Sequence, residues 1–123
     1  MKSKKIIIGS RGSKLALIYA EIARKKIINL KTKLQIRDIK IRIVKTIGDQ
    51  IQNKRLSDIG GKGLFSKKIE EQLLKKKIDI AVHALKDMPT KETKGLTTIC
   101  YLKRNDKREV LITRGKKTFN ELS

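Results

Sequence analysis

The stretch "KKIIIGSRGSKLALIYAEIARKKIINL", residues 4–30, decides the fold class. Ile6, Ile7 and Ile8 read as a short strand, because β-branched side chains pack well on a pleated surface. The run breaks at Gly9. Beyond it Ser10 or Ser13 can cap a helix, and Leu17, Ala20, Ile22 and Ala23 are spaced to share one apolar face. A strand, a tight turn and a helix in that order open a βαβ unit.

Working outward, "LQIRDIKIRIVKT" (34–46) sets Ile39, Ile41 and Ile43 against Lys40, Arg42 and Val44, the alternation of a second strand. Residues 47–63, "IGDQIQNKRLSDIGGKG", carry four glycines and no sustained period. They read as a long loop, of the kind that serves as a lid or stays disordered. "LFSKKIEEQLLKKKI" (64–78) restores a helical period through Leu64, Phe65, Ile69, Leu73 and Leu74. "DIAVHA" (79–84) is apolar at nearly every position, as a central parallel strand covered on both faces would be. "LTTICYL" (96–102) and "EVLIT" (109–113) read as two further strands around the charged turn "KRNDKRE". "TFNELS" (118–123) has capping-box spacing at Thr118 and Glu121, so the chain stops at a helix start and reads as truncated. The alternation predicts an α/β fold, a mostly parallel sheet with flanking helices, incomplete at the C-terminus.

Charge is the outlying quantity: 32 Lys plus Arg against 12 Asp plus Glu over 123 residues, a net charge of +20. Such an excess attracts polyanions and acidic small molecules. Yet Lys outnumbers Arg 24 to 8 and is scattered, which reads as compositional bias. With two Phe, two Tyr and no Trp there are few rings to stack on bases, so a nucleic-acid partner is not expected. The single Cys100 rules out an internal disulfide framework and a cysteine-cluster metal site; between Ile99 and Tyr101 it reads as a small buried hydrophobe. "IIIG" is too short for a signal-peptide core and no apolar run reaches the roughly 20 residues of a membrane span. A cytoplasmic protein, with no membrane partner, is the default expectation.

Ligands of open α/β sheets bind beyond the carboxyl ends of the strands. "GSRGS" (9–13) follows the first strand and "LKDMP" (85–89) follows the third. Arg11, Ser13, Lys86 and Asp87 are therefore expected to face one crevice. "GSRGSK" suits an anion, with small residues at a helix N-terminus and an arginine fork for a carboxylate or phosphate. It is neither a Walker A loop nor G-x-G-x-x-G, so nucleotide binding is unsupported. "GGKGLF" (60–65) offers a second candidate anion loop around Lys62. Each has a plainer reading: a strand-to-helix turn, the end of a loop, and for Lys86 and Asp87 a surface ion pair worth little. His83, the sole histidine, reads as a core imidazole rather than a base. Without a second His or a Cys partner, catalytic zinc and a Ser-His-Asp triad are disfavoured, and no metal is expected.

Together these segments resemble the porphobilinogen deaminases, also called hydroxymethylbilane synthases. The resemblance is carried by "IIIGSRGSKLAL", by "KTIGDQIQNKRLSDIGGKGLFSKKIEEQLLKKKIDIAVHALKDMPT", by "GLTTIC" and by "RNDKREVLI", in the family's order. The pairing of "IGGKGLF" with "DIAVHALKDMPT" is the most specific part. The resemblance implies a transferase of haem and other tetrapyrrole biosynthesis, which condenses four porphobilinogen molecules head to tail with release of ammonia. It also implies two domains of the type II periplasmic-binding kind and a third bearing a dipyrromethane cofactor on a cysteine.

By the same resemblance Asp87 matches the catalytic aspartate that meets pyrrole N–H groups and stabilises a cationic intermediate. Lys86, Arg11, Ser13 and Lys62 match residues that bind substrate or cofactor side chains, and residues 47–61 match a mobile flap. Residues 1–102 would be most of the first domain and 103–123 the crossover into the second. The cofactor-bearing domain and its cysteine would lie beyond this chain, and Cys100 sits in the wrong place to replace it. Tyr19 stands where many relatives have Gln, and Lys107 where Pro is common. The expectation is an inactive N-terminal portion of a monomeric enzyme. Its rivals are a non-catalytic carboxylate-binding module of periplasmic-binding type and a basic nucleic-acid-binding protein.

Overall fold

The computed structural model describes residues 4–51, 55, 63–104 and 108. Strand β1 (Lys4–Ser10) is followed by helix α1 (Lys14–Ile28), a single turn α2 (Lys31–Leu34) and strand β2 (Ile36–Ile43). A second single turn, α3 (Ile47–Gln50), precedes helix α4 (Lys67–Leu74), the short strand β3 (Ile80–Ala81) and a 3-10 turn at Leu85–Asp87. The strands form one parallel sheet in the order β2-β1-β3. The α/β class and the opening βαβ unit are as the sequence predicts.

Local chemistry explains the first unit. Ser13, with extended backbone, accepts a hydrogen bond from the Ala16 amide and so satisfies one of the unpaired amides of the first turn of α1. Lys25 and Lys26 in the last turn oppose the negative end of the helix dipole. Ile8, Ala20, Ile36 and Ile39 form a buried cluster between α1 and the sheet, with Ile6, Ile27, Ile41, Ile80 and Val82 around it. Burying a side chain such as Ile8 contributes about 1.5–3 kcal/mol. The helix face differs from the one expected. Ala20 and Ala23 are the residues buried, while Leu17 and Ile22 line an outward groove with Lys14, Ile18, Glu21 and Lys25. Small side chains let the helix axis approach the sheet, and the larger ones turn outward.

Successive residues of a strand point to opposite faces. Ile8 looks towards α1, whereas a Cβ on Gly9 would run into the Ile78 side chain. Ile78 and Ile69 of α4 are fully buried on that second face, so the described sheet has a helix on either side. Helix α4 ends in a Schellman motif: Lys77 N–H bonds to the Gln72 carbonyl at 2.9 Å and Lys76 N–H to that of Leu73 at 2.9 Å. Lys76 holds φ 55 to make it.

Three expectations are corrected. The segment read as a central strand supplies the edge of the described sheet, with only Ile80 and Ala81 in the ladder; β1 is central. An apolar run is compatible with either place, since pairing partners lie far along the chain. Residues 96–102 form no strand: Ile99 and Tyr101 are 79% and 72% exposed and no described strand pairs with them. Cys100 is exposed with them and is not the buried hydrophobe expected. The segments 109–113 and 118–123 lie outside the described residues.

Candidate functional site

All three strands deliver their carboxyl ends to one place. β1 ends at Ser10, whose buried hydroxyl lies 3.0 Å from the Arg11 carbonyl oxygen and 3.3 Å from that of Ala16. Val44 N–H bonds to the Ser10 carbonyl at 2.8 Å, carrying β2 alongside into Thr46 and α3. Val82 N–H bonds to the Gly9 carbonyl at 3.1 Å, carrying the chain after β3 towards the turn at Leu85–Asp87. Arg11, the Thr46–Asp49 turn and Asp87 therefore meet because parallel strands end together.

Arg11 is the hub. Its Nε lies 3.2 and 3.1 Å from the two Asp49 carboxylate oxygens, and its Nη2 lies 2.6 Å from Oδ1. Its Nη1 stands 3.5 Å from Oδ2 of Asp87. The guanidinium also lies 3.9 Å from the centroid of the Phe65 ring, close enough for a cation–π contact. The Asp49 hydrogen bond holds Arg11 more firmly charged, against the opposing effect of burial, with both carboxylates adding attraction. The same bond, aided by Thr46, holds the Asp49 carboxyl below its usual range.

Asp49 is anchored in turn. Thr46, fully buried, is the N-cap of α3 and accepts from the Asp49 amide at 3.2 Å, while its hydroxyl donates to Asp49 Oδ2 at 2.7 Å. Gly48 is required beside it. Its amide bonds to the Leu64 carbonyl at 2.9 Å, and a Cβ there would run into the Phe65 ring. Thus the start of the segment read as a loop is built into the site.

The sequence-predicted residues fare differently. The structure brings Arg11 and Asp87 into contact. Lys86 shares the 3-10 turn with Asp87 and is exposed, with no ion-pair partner among the described residues. Ser13 has its oxygen accepting as the N-cap of α1, and its proton has no acceptor among the described residues. Lys62 lies outside the described residues. His83 is half-buried, and burial pushes its imidazole below the ordinary value, partly offset by Glu70 and Asp87. Asp49 was missed, although "TIGD" after the second strand has capping spacing and stands at a carboxyl end.

The cluster offers a part-covered carboxylate that can accept N–H groups and an exposed ammonium for an acid group. Among the described residues no group of three or more His, Cys, Asp or Glu could hold a metal ion, and no helix is long and apolar enough to cross a membrane.

Comparisons with known proteins bear on this geometry. A family profile described as "Porphobilinogen deaminase, dipyromethane cofactor binding domain" matches residues 6–123. A porphobilinogen deaminase of Clostridioides difficile is 51% identical over 118 residues, 95% of this chain and 38% of the relative. Those of Alkaliphilus metalliredigens and Helicobacter acinonychis are 48% and 49% identical, covering 95% and 89% of this chain and 36% and 34% of their own length. The chain spans a little over a third of the length of the curated relatives it matches.

Proposed function

We propose a function from one premise: the chain belongs to the porphobilinogen deaminase family. It supplies the first strand-end half of the active-site crevice of a hydroxymethylbilane synthase, the enzyme that joins four porphobilinogen molecules with loss of ammonia. The observation that carries this reading is the 3.5 Å approach of Arg11 to Asp87 where the parallel strands end. It creates an anionic acceptor held in a cationic setting.

The residues present fit a dipyrromethane, whose rings bring N–H donors and acid side chains. Lys86 is exposed and would bind an acid group, and Asp87, with its side chain 13% exposed, would accept from pyrrole N–H. Ser13 would donate its remaining proton to a side-chain carboxylate, and Lys62 would add a second cation. When bound, that group supplies the pyrrole end to which the next unit is joined. Asp87 orients pyrrole N–H groups and stabilises positive charge developing on the incoming ring, an electrostatic contribution that needs no proton transfer. Arg11, which stands 3.5 Å from Asp87, would share in binding the side chains of substrate or cofactor.

The sheet order and the site at the strand ends support a periplasmic-binding type II-like first domain over residues 1–102, with 103–123 crossing towards a second. A cytoplasmic monomer follows from the family reading, and Cys100, exposed on the irregular segment after α4, is not the cofactor anchor. The isolated 123-residue chain is proposed to be inactive, because turnover needs parts of the relatives' length that it does not span. The test is Asp87→Asn in a full-length deaminase carrying this chain. Ammonia release from porphobilinogen falls about a hundredfold or more with the unfolding midpoint unchanged. Normal turnover in that variant removes Asp87 from the role, and hydroxymethylbilane made by the 123-residue chain alone overturns its inactivity.

A further inference from the structure

The turn Leu85–Asp87, which carries Lys86 and Asp87, is lightly built. Asp87 N–H bonds to the Ala84 carbonyl at 3.0 Å and Met88 N–H to that of Leu85 at 3.1 Å, the sparse pattern of a single 3-10 turn. Before it, the Val82 amide fixes the chain to Gly9 of β1 at 3.1 Å. After it, residues 88–96 belong to no strand or helix. Helix α4 holds that stretch instead. The Thr93 hydroxyl donates to Glu70 Oε2 at 3.0 Å, and the Leu96 amide bonds back to the Thr93 carbonyl at 3.0 Å. Gly95, at φ 89, passes so near α4 that a Cβ there would stand 3.2 Å from Leu74 Cδ2. The helix is a firm base, since Ile69 and Ser66 are buried and Glu70 N–H bonds to the Ser66 carbonyl at 2.9 Å. The Glu70 charge also reaches the other flank of the turn, where it acts on the His83 imidazole together with Asp87 and Arg11.

We propose that Glu70 is a positioning residue of the crevice: by holding Thr93 against α4 it fixes the far flank of the Leu85–Asp87 turn and so keeps Asp87 in register with Arg11, 3.5 Å away. The inference rests on the reading of Asp87 as the carboxylate that meets pyrrole N–H. A carboxylate that stabilises a developing charge must be placed closely, and a shift of about 1 Å can cost about a hundredfold in rate. Glu70 suits the task by its chemistry, because a carboxylate accepts from a hydroxyl more strongly than a neutral oxygen does. Its helix packs on the sheet through Ile69, so the turn takes its position from the sheet on both flanks. Lys86 is exposed and meets an acid group as a point charge on a flexible stem, which tolerates small shifts. Loss of the Glu70 hold therefore falls on the chemical step more than on binding.

The experiment has two arms. Amide hydrogen exchange, read residue by residue by NMR on the 123-residue chain, compares Asp87 with Val82. In Glu70→Ala and in Thr93→Val the Asp87 amide exchanges about tenfold faster while the Val82 amide is unchanged. No change at Asp87 overturns the proposal. Equal quickening at both amides overturns it too, since that marks a merely structural Glu70. The other arm measures ammonia release from porphobilinogen by a full-length deaminase carrying this chain, at a temperature well below its unfolding midpoint. Either substitution lowers kcat about tenfold and leaves KM within about twofold, the signature of an interaction lost in the transition state. Thr93→Ser, which keeps the hydroxyl, recovers most of the loss in Thr93→Val. Glu70→Ala joined to Thr93→Val is no worse than the more damaging single change, because both remove one bond. An unchanged kcat, a loss confined to KM, or full addition of the two losses overturns the proposal. Asp87→Asn separates the two readings: if that variant turns over normally, the assignment of Asp87 has failed, and the exchange arm still decides whether Glu70 fixes the turn. Should Glu70→Ala fail to fold, Thr93→Val, which is close to the wild-type shape, carries both arms with the same expected direction.

Discussion

The guanidinium of Arg11 lies 3.9 Å from the centroid of the Phe65 ring, and the same ring leaves no space for a Cβ on Gly48. One aromatic side chain thus joins the turn after β1 to the turn after β2. Phe65→Leu keeps an apolar body and loses the cation–π contact, and is expected to cost about 1 kcal/mol in urea unfolding. Gly48→Ala pushes the ring away and is expected to cost about 1–3 kcal/mol by the same measurement.

Thr46 is fully buried and caps α3 while holding Asp49. Thr46→Ala is expected to lower stability by about 1 kcal/mol, whereas Thr46→Ser, which keeps the hydroxyl, stays closer to the wild type. Equal losses in the two variants would show that the methyl group, not the hydroxyl, matters. Urea midpoints for the pair decide it.

Lys76 adopts φ 55 at the Schellman end of α4, a conformation in which an L side chain crowds its own backbone. Lys76→Gly relieves this and is expected to stabilise the chain by roughly 0.5–1 kcal/mol, less the greater freedom glycine gains on unfolding. A fall in the thermal midpoint would contradict it.

Acid should weaken the fold in two stages. Burial holds His83 below its ordinary value of 6.5, with Glu70 and Asp87 opposing and Arg11 adding to the effect. The unfolded chain therefore takes up a proton first, and stability falls as pH drops below 6.5 until the folded imidazole also protonates. Asp49 is held below 3.8 by Arg11 and Thr46, so its contribution is present above 3.8 and lost as pH falls further. Thermal midpoints against pH should show both declines. His83→Gln flattens the first and Asp49→Asn the second.

Much of the site was legible because it is local. The β-branched run and Ser13 before an apolar period state a strand, a turn and a helix in that order, although the strand runs on through the expected break at Gly9 to Ser10. Position at strand ends then put Arg11 and Asp87 in one crevice. Asp49 was passed over because its partner Arg11 stands 38 positions away and because a segment without periodicity offers no pattern to read. The same non-locality hid the sheet order. "DIAVHA" has the composition of a central strand, but its place depends on which backbone groups are left for it to pair with. "LTTICYL" has β-forming residues yet pairs with no described strand, since a strand is made by its neighbour as much as by its own side chains.

The sequence by itself determined the α/β class, the parallel opening unit, the helix cap at Ser13 and the carboxylate at the end of the third strand. These follow from side-chain shape and short-range hydrogen bonding. Only the tertiary structure decided that Asp49 takes the Arg11 fork, that Phe65 braces it, and that one arginine edge is left facing Asp87. A guanidinium has several donors and a fixed plane, and which carboxylate each edge meets is settled by where three strands end in space.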